Sequence, residues 1–549
     1  MRDWPIRFWQ SLSAVGLLLA TLFFAASLTP SLVPRPFVLQ GVLSGLSLAA
    51  GYGLGALAEW IWDSLQLRRP SGRLRRFLQI GAAVILAVVA ATFLWKASEW
   101  QNSIRVLMDL PPVDSAHPTK VGLIALAVFA LMIALARIFQ IVFRLSSRAL
   151  ARFAPGPVAM LAGAAIATFL FWSIADGIFF HWALRAADAS FKQLDALIEE
   201  DIPRPTDPNK TGSSASLIKW RGLGRQGRAF VATGPTQQDI GNFLQRDAME
   251  PIRVYAGLNS AETPEERAQL ALAELKRVGG FERSSLLVIV PTGTGWVDPA
   301  ASNSVEYLHG GDIASIAVQY SYLTSWLSLL VEPDYGSETS RALFHAVYDY
   351  WTKLPKDTRP KLYLHGLSLG ALNSELSVEL LEVVGDPFQG ALWSGPPFPS
   401  PLWGSVTRRR VPDSPSWLPR FGNGSVVRFT SQQNALNIPG ANWGAMRIVY
   451  LQYASDAVTF FDPRSIYQAP SWMVGPRGPD VSPELRWYPV VTFLQLLLDL
   501  ATATTTPIGH GHVYAPQHYI DAWIAVTDVQ GWSTENIERL KVKLAKEMP

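Results

Sequence analysis

Five long apolar stretches follow one another in the first third of the 549-residue chain, and they constrain its fold more than any other feature. Phe8–Pro34, Pro36–Ala58, Phe77–Trp95 and Phe153–Ala175 contain no charged residue, and Val121–Phe143 contains one, Arg137, near its end. Each reaches the ~20 residues that a helix needs to cross a bilayer. Buried helices of a water-soluble protein are an alternative for any one of them, but five in succession predict a transmembrane bundle. Arg2 and Arg7 before the first stretch would also suit a cleavable signal peptide, yet that stretch is long for one and four more follow it. A hydrophobic content of 49% and a mean hydropathy of +0.16 agree with a chain partly solvated by lipid.

The connecting loops differ in charge. Arg68, Arg69, Arg73, Arg75 and Arg76 follow the second stretch, and Arg144, Arg148 and Arg152 follow the fourth. The loops after the first and third carry only Arg35, and Lys96, Arg105 and Lys120. Basic loops stay in the cytoplasm, so the N-terminus is expected inside and everything after about His181 outside. Glu59, Asp63, Arg137 and Asp176 lie near the ends of stretches, so the midplane lacks the ionisable groups of a pump or coupled transporter. The bundle reads as an anchor and lipid-facing platform, with membrane lipids as its partners. A formal charge of +3 gives no footprint for nucleic acid, and the arginine loops suit topology and anionic headgroups instead. The absence of cysteine fits a domain outside the cytoplasm that uses no disulfides.

Beyond the bundle (1–180), a polar stretch at 181–224 with Pro203, Pro205 and Pro208 reads as a stalk and linker. Strand and helix signals then alternate through 225–549. Phe230–Thr233, Ile252–Ala256, Leu286–Val290 and Ile313–Tyr320 read as strands, and Gln237–Arg246, Pro264–Val278 and Glu338–Leu354 as helices. Such alternation predicts a mostly parallel sheet with helices on both faces. An irregular insert at about 398–445, rich in Pro, Trp and Arg, reads as a lid, a surface that dips into the bilayer, or a solvated loop.

One motif in this region carries chemistry. Gly366-Leu367-Ser368-Leu369-Gly370 follows the apolar run Leu362–Leu364 and precedes a helical pattern. A serine on a sharp strand-to-helix turn needs small flanking residues, and the turn lifts its hydroxyl above the sheet at a helix N-terminus. In such elbows the acid and then the histidine come later in the chain. His117, His181, His309, His345 and His365 all precede Ser368. Of the remaining three, His510 and His512 sit in the glycine-flanked Gly509–Tyr514 loop, with His512 favoured, while His518 falls at the start of a helix and reads as structural. A metal is not expected at the His510/His512 pair, because no cysteine or acidic cluster completes a ligand set. The acid should end a strand between serine and histidine. Asp456, after Met446–Tyr453, is the candidate, with Asp462 second; Asp456 also suits the N-cap of a following helix. Oxyanion donors are expected from the amide of Leu369 and from Thr292, Gly293 or Thr294 in the glycine loop after Leu286–Val290. No Gly-Lys-Ser/Thr follows that loop, so it is not read as a phosphate loop. Gly222–Gly227 matches a dinucleotide fingerprint by letters, but it follows no strand and leads into Arg228–Thr233, read as a strand, so no cofactor is expected.

The blocks Pro251–Arg267, Gly311–Ser321, the Ser368 elbow, Ala391–Pro397 and Gly509–Tyr514 together resemble the bacterial membrane-anchored α/β-hydrolases that carry an N-terminal multispan domain. The resemblance covers most of the chain. It implies an N-terminal transmembrane bundle and a C-terminal α/β-hydrolase domain with a Ser-Asp-His triad, which the loop charges place on the outer side of the bacterial cytoplasmic membrane. It also implies a serine hydrolase acting on an ester, with an aminoacylated glycerolipid as one candidate substrate. An acyltransferase using the same acyl-enzyme and a non-catalytic scaffold on the same fold are the alternatives.

Overall fold

Long apolar stretches satisfy their backbone hydrogen bonds internally as helices, and those in the first third of the chain form helices among the described residues. The computed structural model describes residues 12–67, 72–173, 195, 202–323 and 333–547. The chain divides into two compact units: Met1–Arg185 with Phe461–Thr506, and Ala186–Phe460 with Pro507–Pro549. The start of the first expected span at Phe8, Arg68 and Arg69, the end of the fifth span at Ala175, His181, and the stalk up to 201 apart from Asp195 lie outside the described residues.

In the first unit the five apolar stretches form helices α1 (Ala14–Ser27), α2 (Phe37–Ser64), α3 (Gly72–Arg105), α4 (Pro118–Leu150) and α5 (Gly156–Trp172). Three of them, α2 to α4, are long and apolar enough to cross a membrane, whereas α1 and α5 span 14 and 17 residues. Their outward faces are apolar: Phe77, Leu123 and Phe169 are each at least 70% exposed. Inside, a cluster of Phe24, Leu28, Trp100 and Val121 is combined with contacts between small and polar residues. Gly55 of α2 lies against Gly16 of α1, and Gly41 and Gly45 lie against Ile124 and Val128 of α4. Lipid gives no hydrophobic gain for helix association, so close backbone approach and interhelical hydrogen bonds supply it. One such bond joins Ser27 Oγ to Ser44 Oγ at 2.8 Å, and Gln40 Nε2 donates to the Ser27 carbonyl at 3.0 Å.

Residues 461–506, far along the chain, belong to this same unit. The helix Val491–Ala501 carries Asp499, whose carboxylate accepts from Ser31 Oγ at 2.8 Å and from the Leu32 amide at 2.9 Å. Trp100 Nε1 donates to Glu484 at 2.6 Å.

The second unit is built on a seven-stranded sheet in which every pairing is parallel. The strands are β1 (Ile252–Ala256), β2 (Ser285–Val290), β3 (Ile313–Val318), β4 (Lys361–Leu367), β5 (Gly390–Ser394), β6 (Val427–Thr430) and β7 (Arg447–Leu451), in the order β1-β3-β2-β4-β5-β7-β6. Both β2 and β3 are buried at every residue, as a parallel sheet covered on both faces requires. The central strand β4 pairs with β2 and β5, which puts its C-terminal end at the middle of the sheet crest.

Two local readings change. Phe230–Thr233 is not a strand but the end of the helix Gly224–Ala232, and the turn before it, Trp220–Leu223, is a 3-10 helix. An apolar run of four residues cannot by itself distinguish the two, and here a β1 side chain decides: Arg253 donates to the Phe230 carbonyl at 2.7 Å and pairs with buried Glu306 at 2.7 Å. The 398–445 insert is not irregular throughout. It contains the helix Pro401–Arg408 and the edge strand β6, and Trp403 is buried with its Nε1 on Gln452 Oε1 at 2.7 Å.

A cavity-free contact between small residues makes a direct test of the bundle. A Cβ on Gly45 would lie 2.5 Å from Val128 Cβ and 2.8 Å from the Ala125 carbonyl, while one on Gly53 meets nothing within 4 Å. Gly45→Ala should therefore destabilise the detergent-solubilised protein by roughly 1–3 kcal/mol, read as a lower thermal midpoint, and Gly53→Ala should not. Equal midpoints for the two variants would mean that α2 and α4 are not held at this distance.

Candidate active site

Ser368 is the residue between β4 and the helix Leu369–Leu376, with φ 59° and ψ −127°. A side chain there is strained by about 1–3 kcal/mol, and such residues persist only when their surroundings fix them. Three contacts do so. The Ser368 amide donates to the Ser394 carbonyl at the end of β5, 2.9 Å away. A Cβ on Gly366 would lie 2.2 Å from the Gly370 carbonyl group, and one on Gly370 would lie 2.2 Å from the Val290 carbonyl oxygen. Only glycine allows the strand, the helix and the end of β2 to approach this closely.

The loop after β2 thereby adjoins the elbow. Its candidate donors are not equivalent. The Thr292 amide is already donated to the Trp296 carbonyl at 2.9 Å and has no N–H to offer an oxyanion, which removes it from the donor set. Tyr255 Oη donates to the Gly295 carbonyl at 2.7 Å and Gln319 Nε2 to the Thr294 carbonyl at 3.3 Å, so the turn carrying Gly293 and Thr294 is fixed from β1 and β3. Leu369 begins the helix after Ser368, with its amide at the helix N-terminus.

Asp456 and His512 come together. His512 Nδ1 lies 2.7 Å from Asp456 Oδ2, and both side chains are buried. Asp456 follows β7 and also caps the short helix Ala457–Phe460, its Oδ1 accepting from the Val458 amide at 2.8 Å. The structural and the chemical readings of this residue thus hold at once. His512 is presented by a tight hairpin: Gly511 has φ 56°, its amide donates to Ser455 Oγ at 2.8 Å, and Gly509 donates to the Val513 carbonyl at 2.8 Å. A Cβ on Gly395, which has φ 50°, would lie 2.6 Å from His512 Cε1. Ser394 therefore holds the Ser368 amide while the next residue holds the imidazole. His512 Nε2 is buried without a hydrogen-bond partner.

The other candidates sit elsewhere. His510 pairs through its backbone with Val513, and the partners of the Asp456 carboxylate are His512, Tyr514, Val458 and Thr459. Asp462 caps the turn Pro463–Ile466 by accepting from the Arg464 amide. His518 bonds Tyr453 Oη at 2.6 Å, and burial lowers it to about 4, as a structural histidine. His365 is likewise buried in β4, bonded to the Leu392 carbonyl at 2.8 Å and lowered to about 4.

Two residues at this site escape a reading of the sequence alone. Tyr514 Oη donates to Asp456 Oδ2 at 2.7 Å, and burial together with that carboxylate raises its own ionisation well above the ordinary value. Its place two residues after His512 in the hairpin is the only sequence signal. Asp298 caps the helix Pro299–Leu308 by accepting from the Ala300 amide at 2.9 Å. Burial raises its carboxyl to about 6, and the hydrogen bond from the Ala300 amide, together with the Tyr519 hydroxyl, partly opposes that.

No group of three or more metal-ligating side chains occurs among the described residues. A serine held above a sheet crest, a histidine backed by a carboxylate and oriented amides are the parts that acyl transfer needs.

Neither a curated protein nor a solved structure matches this chain. Two family models do: one described as the alpha/beta-hydrolase family N-terminus over residues 28–235, and one described as the alpha/beta-hydrolase family over residues 252–540. The second spans more than half of the chain and coincides with the sheet that carries Ser368, and the chain belongs to the alpha/beta-hydrolase family.

Proposed function

We propose that the protein is a membrane-anchored serine hydrolase that cleaves a lipid or lipid-linked ester through Ser368, His512 and Asp456. The observation that carries this reading is the His512 imidazole, with Nδ1 on Asp456 at 2.7 Å and a buried Nε2 that has no partner. A histidine so placed is held in the tautomer whose Nε2 accepts a proton. In the reaction, Ser368 Oγ attacks the ester carbonyl as its proton passes to His512 Nε2. Negative charge forms on the carbonyl oxygen, and the amides of Leu369 and of Gly293 or Thr294 donate to it. His512 returns the proton to the departing alcohol, leaving an acyl-Ser368. Water, deprotonated by the same imidazole, then releases the acid. Asp456 stabilises the imidazolium in both halves, and Tyr514 holds the Asp456 oxygen that faces the ring.

The lipid substrate rests on the helices of spanning length in the same chain, and an aminoacyl ester of a glycerolipid on the likeness of the sequence blocks. The arginine-rich loops after α2 and α4 support an orientation with the hydrolase domain outside the cytoplasm.

Ser368→Ala should abolish ester hydrolysis and labelling by a fluorophosphonate probe while the melting transition is kept, since a strained position gains nothing from its hydroxyl. Hydrolysis near the unaltered rate would remove Ser368 from the mechanism. Tyr514→Phe should lower kcat roughly tenfold with little change in KM, the scale of one hydrogen bond to a charged group; an unchanged kcat would leave Tyr514 a packing residue. A reporter active only outside the cytoplasm should work when fused after Pro549, and a working cytoplasmic reporter there would reverse the orientation.

Asp298 makes a prediction about pH. Its carboxyl binds a proton more tightly in the folded state, about 6 against the ordinary 3.8. The stability it contributes is complete below 3.8 and is lost as pH rises through about 6. The full shift corresponds to roughly 3 kcal/mol. Asp298→Asn keeps an N-cap acceptor and does not ionise, so its thermal midpoint should fall less between pH 4 and 6 than that of the unaltered protein. Parallel pH profiles would show that Asp298 is ionised throughout.

A further inference from the structure

At one end of the helical unit, α1, α2, α3 and α4 leave a cavity of about 540 Å³. Leu28, at the C-cap of α1, lines it together with Leu39 of α2, Leu94 of α3 and Val121 of α4. An apolar lining of this size suits part of a hydrocarbon chain. The polar part of the lining is made of neutral amides and hydroxyls, those of Gln40, Gln101, Ser115, Thr502 and Thr505, of the imidazole of His117, and of two guanidinium groups, those of Arg35 and Arg105. No carboxylate lines the cavity among the described residues.

Arg35 is the central group. It is 6% exposed, and its Nη2 donates to the Thr29 carbonyl at 2.9 Å, but Nε and Nη1 have no acceptor. Buried guanidinium N–H groups without acceptors are costly. The neighbouring carboxylate is Asp499, and it is bonded to Ser31 Oγ and the Leu32 amide. The helices add to the same field. Both α2, 28 residues long, and α4, 33 residues long, begin at the cavity, and their N-caps Pro36 and His117 make no side-chain cap. The positive end of each helix dipole is thereby directed toward this space. Lys120, with its Nζ 4.9 Å from the Phe37 ring, adds a further cation beside it.

We propose that this cavity is a lipid-binding site that takes the phosphate of an anionic phospholipid headgroup at Arg35, with the upper part of one acyl chain along Leu28, Leu39, Leu94 and Val121. The phosphate supplies the acceptors that Nε and Nη1 lack. No bond is made or broken here: the site binds, and it lies in the helical unit rather than among the residues assigned to ester cleavage.

The test uses the full-length protein in a neutral detergent, with Ser368 blocked by a fluorophosphonate and adducts counted by native mass spectrometry. The probes are ether-linked single-chain phospholipids, which resist ester cleavage, one with an anionic phosphoglycerol head and one with a zwitterionic phosphocholine head, and inorganic phosphate. The anionic probe should bind at one per chain, at least about tenfold more tightly than the zwitterionic one, the scale of a charge-assisted hydrogen bond. Arg35→Gln should erase that preference, and Ala97→Leu, which narrows the cavity without touching a charge, should weaken both probes, each variant leaving hydrolysis of a soluble ester unchanged. Equal binding of the two heads in the unaltered protein overturns the proposal whether or not the variants fold. So does an anionic preference that survives Arg35→Gln. Inorganic phosphate displacing the lipid at similar concentration also overturns it, because the site would then be one for a free anion.

Discussion

Ser368 holds a backbone conformation, φ 59° and ψ −127°, that a residue with a side chain avoids, and much of the second unit is arranged so that it has no alternative. The strain is opposed by a hydrogen bond from its amide to Ser394 and by glycines at 366 and 370 that let β4, the following helix and the end of β2 close on one another. Because β4 is central, the same contacts bring the ends of β2 and β5 to the serine. The loop after β2 supplies amides and the turn after β5 supplies a wall for the imidazole. A strained residue at the crest of a parallel sheet is thus held by the ends of its two neighbouring strands.

The histidine side of the site is fixed by polar contacts rather than by strain. Asp456 takes part in a helix cap, a bond to His512 and a bond from Tyr514, so its oxygens are held from three directions. In a buried setting such a network is stronger than its members taken singly, and it also leaves little freedom in the ring orientation. Asp298 works in the opposite sense. It is a second buried carboxylate, and burial moves it toward the neutral form. The two buried carboxylates thus have different environments: donors on several sides hold Asp456, and at Asp298 desolvation outweighs hydrogen bonding.

The helical unit follows another logic. Its outer faces are apolar, and its internal contacts include those of glycine, serine and glutamine, and of a buried arginine and aspartate that come from opposite ends of the chain. Polar groups at such depth are expensive unless each has a partner. Several lack one, Gln40 Oε1, Ser47 Oγ and Ser147 Oγ among them, and Nε and Nη1 of Arg35 are the cationic members of that set, at the cavity by the helix ends.

The sequence by itself determined the elements whose signal is local. Charge-free stretches of spanning length predicted helices, the longer β-branched runs between helical patterns predicted a covered parallel sheet, and Gly366, Ser368 and Gly370 between such a strand and such a helix predicted a tight turn. Short or ambiguous signals were settled by packing. Phe230–Thr233 became helical because Arg253 and Glu306 meet beneath it, and Trp403 turned inward to Gln452 rather than outward. His510 and His512 have nearly the same sequence surroundings, and only the left-handed turn at Gly511 and the bond to Ser455 direct the second of them to Asp456. The assignment of residues 461–506 to the helical unit, the roles of Tyr514 and Asp298, and the loss of Thr292 as a donor depend on contacts between residues far apart in the chain. Periodicity records which face of an element is buried, and it holds no information about which distant residue will be buried against it.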